Sequence, residues 1–147
     1  MSKETRYAPK SFCLYFCFQE NAVENQRVIH MLLSEGADPN LKNKIKETAV
    51  VAAVKKLEIP LLEMLLMNNG EINSPIPDGD QLYTALGYVI KKQNLDVINF
   101  LLNQGQKHCI FRNDKVSDLW SDCIELAIGT RNPDVINLLS DHVKDEL

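Results

Sequence analysis

Four stretches of the 147-residue chain carry the same arrangement of apolar and polar positions. The first runs Val28-Ile29-His30-Met31-Leu32-Leu33-Ser34-Glu35-Gly36-Ala37-Asp38-Pro39-Asn40. A shift of 33 residues brings Leu61-Leu62-Glu63-Met64-Leu65-Leu66-Met67-Asn68-Asn69-Gly70-Glu71-Ile72-Asn73 into register with it. A third copy starts at Val97, 36 residues further on, and a fourth at Val135 after 38 more. Each has two apolar residues, one variable position and two or three more apolar ones, which predicts a short amphipathic helix. Gly36, Asn69 and Gly105 share one repeat position, where the chain has to leave the helix in a left-handed conformation. Gly adopts it without steric cost, and Asn is the next best choice.

A second apolar segment precedes three of these helices: Thr48–Val54, Thr84–Ile90 and Asp122–Ile128. Thr48, Thr84 and Asp122 are suited to cap helix N-termini, since their side-chain oxygens accept from free backbone N–H groups. The links at residues 55–59, 91–95 and 129–133 are too short for anything but antiparallel helices. Each unit therefore reads as an α-hairpin, joined to the next by a polar connection rich in Pro, Asn, Asp or Gly.

The segment Leu32-Leu33-Ser34-Glu35-Gly36-Ala37-Asp38-Pro39-Asn40, together with the 33-residue period, resembles the ankyrin repeat family. The resemblance covers about residues 11–145. It departs from the family's pattern in places: the Thr-Pro-Leu-His opening survives only as Thr48-Ala49-Val50-Val51 and Thr84-Ala85-Leu86-Gly87. Leu57, Gln93 and Arg131 stand where the family has a glycine between helices, and the first repeat carries extra residues around 18–24. The resemblance implies an all-α fold, an ankyrin-like α-solenoid of about four helix-turn-helix repeats with extended connecting loops. The repeats would span roughly 11–41, 44–74, 80–107 and 118–145 of a single domain, residues 1–147. A lone helical hairpin cannot bury its apolar face, so such repeats have to stack. Phe12, Tyr15, Phe16 and Phe18 fit a modified cap at one end, and the polar run 141–146 fits the other.

Composition narrows the function more than the fold. The chain is 45% hydrophobic and 24% charged, and no stretch approaches the roughly 20 apolar residues of a membrane span. A formal charge of −4 argues against non-specific nucleic-acid binding. That charge is unevenly spread: residues 1–56 hold nine basic and six acidic side chains, and residues 57–147 hold seven and fourteen. The basic start and the apolar run 12–18 imitate a secretion signal, but the run is short and residues 19–21 are a poor cleavage site. The closing Lys144-Asp145-Glu146-Leu147 spells a retention address, which has no use without entry to the lumen and reads equally as a frayed helix end. Cys13, Cys17, Cys109 and Cys123 contain no CxxC pair, so a reducing cytoplasm with free thiols is expected, Cys17 and Cys123 being buried at small or apolar positions of their helices.

Catalytic motifs are missing: no phosphate-binding glycine loop, no GxSxG and no HExxH. Cys13 and Cys17, four apart, lack the two further ligands of a tetrahedral metal site. His30 occupies a surface position, and His108-Cys109 alone makes a weak case for a nucleophile and base. Asp78/Asp80 and Asp114/Asp118 read as solvated turns. The expectation is a non-enzyme with neither cofactor nor metal.

Binding has the better claim. Lys55-Lys56 and Lys91-Lys92 occupy equivalent repeat positions, and in ankyrin arrays that end of the first helix lines the concave face. With Lys42, Lys44 and Lys46 they form either a solvated face or a docking stripe for an acidic patch on a protein partner. The longer connections after repeats two and three carry Ile76, Leu82 and Tyr83, then Ile110, Phe111 and Trp120. Such side chains either fold back or anchor a partner, and Tyr83 and Trp120 are of the type that anchors. The partner-binding candidates are thus Lys44, Lys46, Lys55, Lys56, Tyr83, Lys91, Lys92 and Trp120. The chain reads as a monomeric interaction module, or alternatively as a dedicated inhibitor such as a bacterial immunity or antitoxin protein.

Overall fold

A computed structural model describes residues 26–113, 115–117 and 120–146. The expected first helix with Phe12, Tyr15, Phe16 and Phe18, and the pair Cys13/Cys17, lie outside the described residues. The chain divides between Ile72 and Asn73 into two compact units.

The first unit contains α1 (Gln26–Ser34), α2 (Ala49–Lys56) and α3 (Ile59–Met67). Thr48 caps α2, its Oγ1 accepting from the Val51 amide at 3.2 Å. All six residues from Ala49 to Val54 are buried, so α2 is a core helix, and it packs along α3 through Leu61, Leu62 and Leu65. The α1 helix stops as its glycine predicts. Gly36 has φ 89°, its amide reaches the Leu33 carbonyl, and the Ala37 amide reaches Leu32. The same two bonds recur at Asn69/Gly70, with Asn69 at φ 67°. These pairs satisfy carbonyls that the helix end leaves open. Asn40 then joins successive turns: its Nδ2 donates to the Asn69 carbonyl at 2.9 Å, and its Oδ1 accepts from the Glu71 amide at 2.6 Å.

The second unit holds β1 (Ile76–Asp78), β2 (Gln81–Tyr83), α4 (Ala85–Lys92) and α5 (Leu95–Asn103), followed by β3 (Phe111–Arg112), β4 (Lys115–Val116), α6 (Trp120–Thr130) and α7 (Pro133–Glu146). Both helix pairs are hairpins, and α4 packs on α6 as α5 does on α7. Thr84 and Asn94 cap α4 and α5 through side-chain oxygens. Gly105 repeats the α1 ending at φ 84°. Leu57, Gln93 and Arg131, the residues in place of the family's glycine, all take left-handed φ of 58–59°.

Two expectations are corrected here. The connections are not purely loops: β1 pairs with β2 and β3 with β4 as antiparallel ribbons, and Tyr83 bridges Ile110 between them. The fold is mostly helical, as an ankyrin-like repeat fold requires, with these short ribbons in its connections. Asp122 is not an N-cap, because α6 begins two residues earlier at Trp120 and Asp122 is buried in its first turn.

Candidate functional site

In the second unit the two ribbons and the helices α4 and α6 enclose an open groove of about 540 Å³. Tyr83 and Ile110, joined by their backbone bridge and both buried, line its base. Lys91 and Gln93 border it from the end of α4, while Arg112 and Leu126 face it from β3 and α6. Local sequence explains this placement. The Lys91-Lys92 pair ends α4 because Gln93 turns the chain left-handed there. The ribbon β3–β4 is held at its base by Thr84, whose amide donates to the Cys109 carbonyl at 3.0 Å and whose hydroxyl donates to His108 O at 2.6 Å. Gly87 makes this contact possible. A Cβ there would lie 2.9 Å from the Cys109 carbonyl carbon and closer still to its oxygen.

Of the four charged residues that line the groove, Lys91, Arg112 and Asp122 are held in ion pairs, and Glu125 adds a further carboxylate from α6. Lys91 Nζ sits 2.9 Å from Asp78 Oδ2 and 4.7 Å from the centre of the Tyr83 ring. The Asp78 hydrogen bond holds its pKa above the ordinary lysine value against the opposing effect of partial burial. Arg112 Nη2 lies 2.9 Å from Asp122 Oδ1, and the second Asp122 oxygen accepts from the Ser117 hydroxyl. The Arg112 side chain is 60% exposed and that of Asp122 only 4%, so a hidden carboxylate orients an accessible guanidinium. The bonds from Arg112 and then Ser117 keep the Asp122 carboxyl below its ordinary pKa despite burial. His108 Nδ1 donates to the Ser117 carbonyl at 3.0 Å, which ties the same corner together.

The expected burial of Cys123 holds, but free thiols are overturned at one pair. Cys109 and Cys123 form a disulfide with Cα atoms 5.4 Å apart, and both are fully buried. The Cys109 sulfur is therefore bonded and cannot serve as the nucleophile of a His108 pair. Asp78 is the Lys91 partner rather than a solvated turn residue, and Asp114 and Asp118 lie outside the described residues. Among the described residues no group of three or more His, Cys, Asp or Glu is placed to hold a metal ion. No helix among them is long and apolar enough to cross a membrane.

The remaining binding candidates are distributed over both units. In the first, Lys44 and Lys46 are exposed in a tight turn built on Asn43, whose Oδ1 accepts from the Ile45 and Glu47 amides. Lys55 is paired with Glu47, and Lys56 is half-buried. In the second, Lys92 Nζ lies 5.2 Å from the Tyr88 ring centre. Tyr83 lines the groove, whereas Trp120 is half-buried at the start of α6. Sequence reading missed Gln93, Arg112 and Leu126 as groove residues. Only the longer connection around Arg112 hinted that a protruding element stood there.

Residues 19–112 match the family model for ankyrin repeats in three copies. No curated protein matches the sequence. The matched segment holds the three helix endings at Gly36, Asn69 and Gly105 and both threonine-capped helices, and it covers well over half of the sequence: the chain belongs to the ankyrin repeat family.

Proposed function

We propose that the chain is one non-catalytic domain of about four stacked repeats, an α-solenoid, that docks a protein partner on its ribbons and inner helices. Ankyrin repeats are in general protein–protein interaction modules. The observation that carries the reading for this chain is the groove of the second unit, with an apolar base at Tyr83 and Ile110 and oriented cations at Lys91 and Arg112. A rigid groove docks a segment with little ordering cost. Lys44, Lys46, Lys56 and Lys92 supply further cations for a partner carrying an acidic patch. Lys55 and Lys91 contribute through pairs they already make, and Trp120 opens α6, the helix from which Leu126 lines the groove.

Site-specific photo-cross-linking in cells tests the reading. Probes at Gln93 and Leu126 should each trap the same discrete protein. Probes at the exposed Asn99 and Asn137, on the second helices of their hairpins, should trap none. Equal labelling from all four positions, or labelling from the outer pair alone, would remove the groove as the docking surface.

A further inference from the structure

We propose that the Cys109–Cys123 bridge is a reversible redox clamp on this groove, fixing its α6 wall when oxidised and releasing it when reduced. The proposal rests on reading the groove as the docking surface, and it adds how that surface is regulated. Each cysteine stands beside groove-lining residues: Ile110 and Arg112 follow Cys109, while Asp122 and Leu126 flank Cys123. The bridge thus joins the ribbon side of the groove to its helical side.

The two sides are not equally secured without it. The ribbon is fastened to α4 independently, by Thr84 through the His108 and Cys109 carbonyls and by the close seat that Gly87 leaves. The start of α6 is tied to the ribbon corner by the bridge, by the Arg112–Asp122 pair and by the Ser117–Asp122 bond. With the bridge broken, the ribbon keeps its Thr84 fastening to α4. The first turns of α6 keep the two Asp122 bonds and their helix packing on α4 and α7, and the proposed release is of those turns. A reduced Cys123 thiol also has an acceptor ready, since its Sγ is 3.5 Å from the Lys107 carbonyl.

The chemistry is thiol–disulfide exchange with a cellular dithiol. A thiolate of the reductant attacks one sulfur, the Cys109–Cys123 bond breaks, and a mixed disulfide forms. The second thiolate resolves it, and the two cysteine thiolates released take up the two protons that the reductant's thiols gave up. This leaves two thiols on the chain and a disulfide on the reductant, two electrons having passed to the chain. Because both sulfurs are buried, attack requires the start of α6 to open first, which makes that turn the gate. Trp120 reports on it: it opens α6 one turn before Cys123, half-buried, with its indole Nε1 enclosed and without a hydrogen-bond partner among the described residues.

The test uses the full chain with Cys13→Ser and Cys17→Ser, so that only this pair titrates. After treatment with oxidised glutathione, mass spectrometry should show a peptide linked through Cys109 and Cys123. Reduction with dithiothreitol should then speed amide hydrogen exchange across residues 120–126 about tenfold or more, with α4 and α5 changing by less than about twofold. Trp120 emission should shift in parallel, and re-oxidation should restore both signals. Adding Cys109→Ser and Cys123→Ser should reproduce the reduced state. The clamp is overturned if the pair stays as free thiols in oxidised glutathione, or if exchange is unaltered on reduction. It is also overturned if exchange rises throughout residues 76–146, since the bridge would then be holding the fold rather than one wall. These measurements involve the chain alone, so a groove that docks no protein leaves them unmoved and fails separately, by cross-linking.

Discussion

At position 87 the chain has no room for a methyl group. Gly in a helix interior costs about 1 kcal/mol relative to Ala, so propensity alone favours Gly87→Ala. The Cys109 carbonyl decides otherwise, because Thr84 holds it against the helix at the point where a Cβ would stand. Overpacking against fixed backbone outweighs the propensity gain, and Gly87→Ala should lose about 2 kcal/mol, read from the urea midpoint. Nothing in the sequence marked this glycine apart from its place in the Thr84-Ala85-Leu86-Gly87 opening, since the atom it accommodates lies 22 residues away. Leu57, Gln93 and Arg131 show the opposite situation. Their left-handed φ is the one a glycine adopts freely, so the backbone geometry was legible from the repeat even though the residue types argued against it.

Among the elements, the helices were readable because their apolar spacing and their caps agree, and the capping threonines separate two kinds of work. Thr48 accepts one amide bond, whereas Thr84 also donates its hydroxyl to the His108 carbonyl. Replacement by alanine should cost about 1 kcal/mol at position 48 and about 2 kcal/mol at position 84, measured by chemical denaturation. The ribbons were not readable, because strands of two or three residues are too short to show alternation. Asp122 misled for a related reason: an acidic residue two positions inside a helix looks like its cap until the distant Arg112 is in view. With its folded pKa depressed, the Asp122 carboxylate stabilises the second unit fully above the ordinary value of 3.8. That stability is lost as pH falls through the lower folded value. Asp122→Asn should therefore lower the urea midpoint at neutral pH and flatten its decline in acid. An unaltered acid limb would assign the loss to other carboxylates. The disulfide was out of reach altogether, since spacing in sequence gives no distance between Cys109 and Cys123.

For the whole molecule, the net charge of −4 hides cations that differ in freedom. Lys55 and Lys91 already have carboxylate partners, so reversing either one disturbs folding and docking together. Lys44, Lys46 and Lys92 have no carboxylate partner among the described residues. Changing these three to Glu should slow association with an acidic partner at low salt by about tenfold or more, with little shift in melting temperature. The difference should fade as salt rises, and a salt-independent loss would point to a misfolded variant instead. The Asn40 side chain has a consequence of another kind. It grips backbone groups 29 and 31 residues further along, and so measures one repeat against the next. An inserted residue inside that interval would pull both bonds out of reach, and the spacing there is the strict 33. The next two spacings, 36 and 38, are the ones that contain ribbons, which are gauged against each other nearer their bases by the Tyr83–Ile110 bridge and the Gln81–Phe111 bond, and added length goes to the tips. Evolution can lengthen this protein at its tips or by whole repeats, and hardly anywhere between.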